Sequence, residues 1–509
     1  MSAPTPNTSV PLPRGVQRAL QTMRADFARD WRVSELAAAV GVSTRTLQRQ
    51  FRHFRRKGLL SELADIRFSH ARRILLRGRA DTKVVDVALR CGVAHFGRFA
   101  LEYRRRYGET PSDTLRRQAS LNDRLEAAPF FFTPNREGPT VVLRPIETDH
   151  GCIDIASDVA EQVATALMRA GISVAKPSSS ARYHLTGAIR GAPGHSRIVL
   201  RLVETETGRH LWAHHASNPF GAELGFEEQI ATKIVASMQP QLRQAEIDRS
   251  WQRPDGELTP TDLALRAMPG VLSLDAAGNA RALELLERAM DKDPDHALAT
   301  ALAAWAYAQR VVYHFSNTPL ADHVHSARLA HKALTLSPDA TLLAILGTAF
   351  TLLHNTETAA QVVHKALSID GGSAWAWSRS AWIDVYNGDA EAAIDQFKIA
   401  LDLAPHDTLA FNNLVGIGCA HFKMGRYLDA ARWQQRALTE HPSATWVHRT
   451  LCPAYVMLGA EGDALSSLRA LRQNYPDLTI SQIQRGLPPL PFSYRELVVD
   501  ALSSLGLPA

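Results

Sequence analysis

Cysteine is scarce. Four occur in 509 residues, Cys91, Cys152, Cys419 and Cys452, far apart and without a Cys-x-x-Cys pair. That excludes a disulfide framework and a Cys-rich zinc module, and a reduced, cytoplasmic setting is expected. No apolar run approaches the roughly 20 residues that span a bilayer. Ala297 to Ala308 comes nearest, and Gln309 and Arg310 end it, so no membrane association is expected. Residues 1–13 are rich in Pro, Ser and Thr, with neither a charged start nor an apolar centre; they read as a disordered lead-in rather than a signal peptide. Also missing are G-x-x-x-x-G-K-[ST], H-E-x-x-H and G-x-S-x-G. Gly416-Ile417-Gly418 lacks a third glycine and a preceding strand, which makes Gly418 a helix-packing residue. His323-Val324-His325 with His331, and His214-His215, have no cysteine or carboxylate at helical spacing to complete a ligand set. The expectation is therefore no cofactor, no metal, no catalytic residue and no enzyme.

What the chain does have is arginine, concentrated near its start. Residues 14–117 hold 24 Lys and Arg against 10 Asp and Glu, a charge of +14 in a chain whose total is +6. The remainder, 33 against 41, is acidic. A basic block on an acidic body is what phosphate attraction confined to one domain requires. Within the block, Leu36-Ala37-Ala38-Ala39-Val40-Gly41-Val42-Ser43 leads to Arg45, Leu47, Arg49 and Phe51. Val87-Ala88-Leu89-Arg90-Cys91-Gly92-Val93 leads likewise to Phe96, Arg98, Phe99 and Tyr103. Each reads as a short helix ended by a glycine that takes the left-handed conformation. A second helix follows, with Leu47 and Phe51, or Phe99 and Tyr103, four apart on its buried face. Such a turn lets the second helix enter a DNA major groove.

This segment resembles the DNA-binding domain of AraC-type transcriptional regulators, two helix-turn-helix units joined by a long helix. The residues that match are Leu36, Ala37, Ser43, Leu47, Arg49 and Phe51 in the first unit, and Arg67, Ala71 and Leu75 in the connecting helix. In the second unit they are Val87, Ala88, Gly92, Phe99, Gly108, Thr110 and Pro111. The family's Gly-x-Ser-Pro is replaced by residues 55–60, Arg-Arg-Lys-Gly-Leu-Leu; Val93 and Tyr103 stand where phenylalanines are usual. The helix starts place Thr44, Arg45, Gln48, His95, Phe96 and Arg98 toward bases. Arg49, Arg52, Arg55, Arg56 and Lys57, and Arg104, Arg105 and Arg106, are assigned to phosphates.

Beyond a break at 119–139, which contains Phe130-Phe131-Phe132, the period changes. Val141 to Ile146, Tyr183 to Arg190 and Arg197 to Glu204 read as strands, the last two separated by Gly-Ala-Pro-Gly at 191–194. Ile155 to Arg169 and Phe226 to Leu242 read as amphipathic helices, the second with Ile230, Ile234 and Met238 on one face. The run Tyr183 to Arg190, then Leu202 through Trp212, is similar to the TolB-like α/β domain that precedes repeats in bacterial regulators and some adenylate cyclases. From about 258 onward an Ala or Leu followed five residues later by Pro recurs at Ala289, Ala333, Ala400, Ala437 and Leu471, with Ala366 fitting a Gly in the proline place. The period near 34 residues is the tetratricopeptide spacing, and a longer step implies an insertion around Val311 to His325. Cys91 reads as a small buried residue.

The expected fold is multidomain and mainly α. It comprises an all-α tandem helix-turn-helix domain at 14–118, a linker at 119–139, a small α/β domain at 140–250, and a C-terminal α-solenoid of tetratricopeptide-like repeats at 258–509. The expected function is a sequence-specific transcriptional regulator of double-stranded DNA, whose other domains sense a signal or hold a protein or peptide partner in the repeat groove. RNA polymerase and a second copy of the chain stay open as partners. The alternatives are an interaction scaffold that binds DNA without sequence choice and, further off, a cyclase-associated enzymatic module.

Overall fold

The computed structural model describes residues 13–55, 58–76, 82–93, 95–107, 109–116, 138–148, 153–176, 181–192, 195–219, 226–336 and 339–508. Arg56, Lys57, Gly108, Cys152, Phe130 to Phe132, Pro338, residues 1–12 and most of the expected linker lie outside the described residues. The chain divides into two compact units, residues 1–129 and 130–509.

In the first unit helices form two small cores: α1 Arg14–Ala25, α2 Val33–Ala39, α3 Thr44–Arg55, α4 Leu59–Leu76, α5 Val84–Arg90 and α6 Phe96–Tyr107, with residues 111–116 helical as well. α1 adds Val16, Ala19, Leu20 and Met23, spaced as one helical stripe, to the core of the first helix-turn-helix. Leu59 and Leu63 of α4 join that core, while Phe68, Ala71 and Leu75 of α4 join the core of the second. One helix is thus shared by both.

The second unit begins with an α/β layer pair: β1 Thr140–Leu143, β2 Glu147–Thr148, α7 Ile153–Arg169, β3 Ser173–Ala175, β4 Tyr183–Ala192, β5 His195–Glu204, β6 His210–Pro219 and α8 Phe226–Gln252. The strand order is β3-β1-β4-β5-β6, with β1 parallel to β3 and β4, and β4, β5 and β6 antiparallel. Alternate residues Tyr183, Leu185 and Ile189, with Ile198, Leu200 and Leu202, meet Val163 and Leu167 of α7 and Ile230, Ile234 and Met238 of α8. The opposite face carries exposed Arg190, Arg197 and Arg201. Two expectations are corrected. The strand expected from Val141 to Ile146 breaks after Leu143, since Pro145 has no N–H to continue a ladder. The turn after Tyr183 to Arg190 is shorter than four residues, because Gly191 and Ala192 still pair with Ser196 and His195.

Six antiparallel helix pairs follow: α9 Pro260–Leu272 with α10 Ala276–Lys292, α11 Ala297–Val312 with α12 Pro319–Leu336, α13 Ala340–Leu352 with α14 Thr356–Ile369, α15 Ala374–Asn387 with α16 Ala390–Leu403, α17 Ala410–Lys423 with α18 Tyr427–Glu440, and α19 His448–Leu458 with α20 Glu461–Asn474. Short α21 Ile480–Gly486 and α22 Phe492–Ser504 close the stack. Ala289, Ala333, Ala366, Ala400, Ala437 and Leu471 all sit in the last turn of a second helix and are at most 1% exposed. At five of them the carbonyl accepts the N–H of the residue four on, Asp293, Asp370, Ala404, His441 or Tyr475. That residue has left the helix, with φ between −131 and −142. At four of the five a following proline disfavours the helical region, and at Asp370 the next residue is Gly371. The expected insertion is the six-residue loop 313–318 together with the lengthened α12.

The α/β layers are not a separate bead. α8 runs ten residues past the expected Leu242 and lies against the solenoid. Its Arg243 pairs with Asp407 and covers the Trp375 ring at 4.3 Å, and Lys233 meets Asp402 at 2.7 Å. Buried Glu246 accepts from Arg182 (2.9 Å), Tyr183 Oη (2.7 Å) and Arg249 (3.0 Å); Arg249 reaches on to buried Asp262 of α9 at 3.5 Å. Across the repeats, Tyr313 in the loop after α11 lies 4.7 Å from the Trp446 ring, and Arg449 of α19 donates to the Val312 carbonyl.

Close helix approach in the stack rests on glycine. A Cβ on Gly416 would lie 2.1 Å from the Phe397 ring, and one on Gly418 2.6 Å from Gln434. Gly416→Ala should therefore lower solenoid stability by about 1–3 kcal/mol. Gly462→Ala, in α20 with nothing within 4 Å, should be neutral or stabilising by up to about 1 kcal/mol. Thermal midpoints by circular dichroism check both; equal shifts would discount the Phe397 contact.

Candidate nucleic-acid interface

Both helix-turn-helix turns are made by a left-handed glycine, Gly41 at φ 71° and Gly92 at φ 72°. At Ser43 the hydroxyl accepts the Thr46 N–H at 3.1 Å, which caps α3 and fixes its start. α3 buries Leu47 and Phe51 completely. Arg45, Gln48, Arg49 and Arg52, spaced by three and four, form its exposed stripe, with Thr44 exposed at the N-terminus. In α6, Phe99 and Tyr103 are the buried pair. His95, Phe96 and Arg98 are exposed at its start, and Arg104 and Arg105 are exposed near its end. Arg45, Arg49, Arg52 and Arg98 have no ion-pair partner among the described residues. Leu101, 73% exposed, sits between Arg98 and Arg105 on the same stripe. An isolated leucine inside an arginine-rich helix carries no period that marks it in the sequence.

Arg106 is the exception among the expected phosphate residues. Its guanidinium pairs with Asp65 of α4 and with Glu102 at 3.0 Å, and lies over the Phe68 ring at 4.8 Å. It is a staple between α4 and α6, removed from the DNA-facing set. Arg105 is 77% exposed and bonds Glu102 at 2.9 Å. The side chain of Arg55, like Arg56 and Lys57, lies outside what is described.

The departures from the family pattern are accommodated locally. Tyr103 shares a hydrogen bond with the Thr114 hydroxyl, so a phenol fits where a phenyl ring is usual. Thr110 caps the turn at 111–116, exchanging hydrogen bonds with Asp113 around Pro111. Cys91 is fully buried, and burial pushes its thiol up to about 11, which makes it a packing residue rather than a thiolate.

Residues 36–117 match the family model described as a helix-turn-helix domain. A probable thc operon regulatory protein of Rhodococcus erythropolis is 38% identical over 106 residues, 21% of this chain and 32% of that protein. Residues 36–117 are a helix-turn-helix domain. The crystal structure of a probable AraC family transcriptional regulator from Rhodopseudomonas palustris CGA009 is 31% identical, covering 21% of this chain and 97% of that one at a TM-score of 0.20. A putative adenylate cyclase 3 of Rhizobium meliloti (strain 1021) is 28% identical over 120 residues, 24% of this chain and 20% of that protein. The chain spans about a third or less of the length of these curated relatives.

No helix among the described residues is long and apolar enough to cross a membrane, and no three His, Cys, Asp or Glu side chains converge there as a metal set. The His325 ring is tilted against Tyr307, and the His331 ring meets Phe350 edge-on.

The helix-turn-helix domain yields a test of the Arg106 assignment. Arg106→Met should lower its melting midpoint, by about 1 kcal/mol for a half-buried ion pair, and leave the salt dependence of DNA binding unchanged. A slope smaller by one unit at an unchanged midpoint would return Arg106 to the phosphates.

Proposed function

We propose that this chain is a sequence-specific, DNA-binding transcriptional regulator. The observation that carries the reading is the pair of glycine-turned helices on one shared spine, each presenting a polar, arginine-bearing stripe away from its core. Thr44, Arg45 and Gln48 of the first helix, and His95, Phe96 and Arg98 of the second, read base edges. Arginine is suited to guanine, and the Phe96 ring to a thymine methyl. Arg49, Arg52, Arg104 and Arg105 contact phosphates and position the domain without selecting sequence. The α/β layers sense a signal, and the repeats hold a protein or peptide partner in their groove.

Arg45→Ala should relax preference at one or two base pairs, at a cost of about 1–3 kcal/mol on the preferred site, and leave affinity for scrambled DNA unchanged. Gel-shift titration on specific and scrambled duplexes measures this. An equal loss on both would favour the scaffold that binds DNA without choice.

Arg52→Ala and Arg104→Ala should instead weaken specific and scrambled DNA alike, each reducing the slope of log affinity against log salt by about one unit. Slopes unchanged in both variants would assign these side chains to solvent.

A further inference from the structure

A cavity of about 40 Å³ lies where the loop after α11 meets α15, α17 and α19, against the roughly 10–15 Å³ that one water needs. Arg379 and Arg449 line it, 6% and 3% exposed. Neither has a carboxylate partner among the described residues. Arg379 donates to Thr348 Oγ1 at 3.2 Å. Arg449 donates to the carbonyls of Val312 (2.7 Å) and Trp446 (3.3 Å) and to His314 Nε2 (3.1 Å). These are neutral acceptors. They satisfy hydrogens and leave two desolvated positive charges uncompensated, an arrangement that is strongly destabilising on its own.

The rest of the wall adds donors and no anion. Trp382 and Trp446, each 6% exposed, line the cavity, and both indole N–H groups are buried without an acceptor among the described residues. Native proteins leave few such groups unmet. Burial pushes the Cys419 thiol up to about 11 and the phenols of Tyr313 and Tyr386 upward, so these neighbours stay neutral. His314 stays neutral too, because burial and then Arg449 hold it down to about 3. His314 sits at φ 60° in its loop, with Gly486 so near that a Cβ there would lie 2.2 Å from the imidazole; Leu487, Pro488 and Leu490 complete the lining.

We propose that this cavity binds a small oxyanion, a phosphate or a short carboxylate, held by Arg379, Arg449 and the indole N–H groups of Trp382 and Trp446. An oxyanion has several lone pairs directed outward, and paired guanidinium forks supply the charge-assisted bonds that suit it. The inference stands apart from the DNA-binding reading, since its test involves no DNA.

The test uses the full chain, scanned for melting temperature and tryptophan fluorescence in sodium phosphate and in sodium acetate, against sodium chloride at matched pH and ionic strength. The expected result is a saturable fluorescence change and a melting temperature that climbs with concentration for at least one of the two. Phosphate alone would assign a phosphoryl ligand, acetate alone a carboxylate. Arg379→Met and Arg449→Met should weaken the response at least about tenfold while melting in chloride at or above the unsubstituted chain, because each removes an uncompensated charge. Trp382→Phe keeps a ring and loses only the N–H donor, and should weaken the response about threefold or more even where a methionine variant fails to fold. No saturable response to either anion, or one equally strong in the folded variants, would overturn the proposal.

Discussion

The helix-turn-helix unit depends on what Arg67 does in the middle of α4. Its Nε donates to the Phe27 carbonyl at 2.8 Å and its Nη2 to the Arg29 carbonyl at 2.7 Å, pinning the loop that follows α1. Charge-assisted bonds to two carbonyls of one loop fix position and orientation together. Phe27 stacks on His70 of α4 at 3.8 Å, and Ala28 is brought so close to Gly92 that a Cβ there would lie 2.3 Å from its carbonyl oxygen. Gly92 is therefore bound twice, by its left-handed backbone and by the absence of room. Through α4 and this loop, the turn of the second helix-turn-helix is referenced to the first. Two helices held that way present their outer stripes at a fixed separation, which binding to two segments of one groove system demands.

This explains which parts of the domain were legible in the sequence. The two turns were, because a left-handed glycine followed by paired apolar residues four apart has few alternative readings. The buried set Leu47, Phe51, Phe99 and Tyr103 was as well, since helical period alone selects it. The division within Arg104-Arg105-Arg106 was not. Three identical neighbours differ by about 100° around the helix, and only the position of Asp65 and Phe68 on another helix decides that the third turns inward. Arg67 was visible as a family match, but its acceptors are backbone carbonyls some forty residues earlier, and carbonyls carry no sequence signal.

The same contrast holds in the second unit. The repeat was legible because the proline places a local prohibition on the residue before it, and the small residue packs where that helix ends. Gly371 takes the proline place after Asp370, and Asp370 still leaves the helix at φ −131°, so packing of Ala366 and the next repeat sustains the geometry without the prohibition. What the loops and the long helix do was not legible. α8 reads as an amphipathic helix of the α/β layers, and its apolar stripe accounts for Ile230, Ile234 and Met238. Its continuation is chosen by ion pairs with residues more than 150 positions away, such as Arg243 with Asp407.

α15 is where these long-range features meet. Trp375, in its first turn, lies under Arg243 of α8 and donates to Asp407 at 3.0 Å. Arg379, Trp382 and Tyr386, one to three turns on, line the inner cavity of the repeats. A helix of 14 residues packed at both ends is stiff on this scale. Glu246 lies one turn beyond Arg243 on α8 and holds Arg182 and Tyr183 at the start of β4. α8 is therefore shared, bonded to the α/β layers through Glu246 and to α15 through the contact of Arg243 with Trp375.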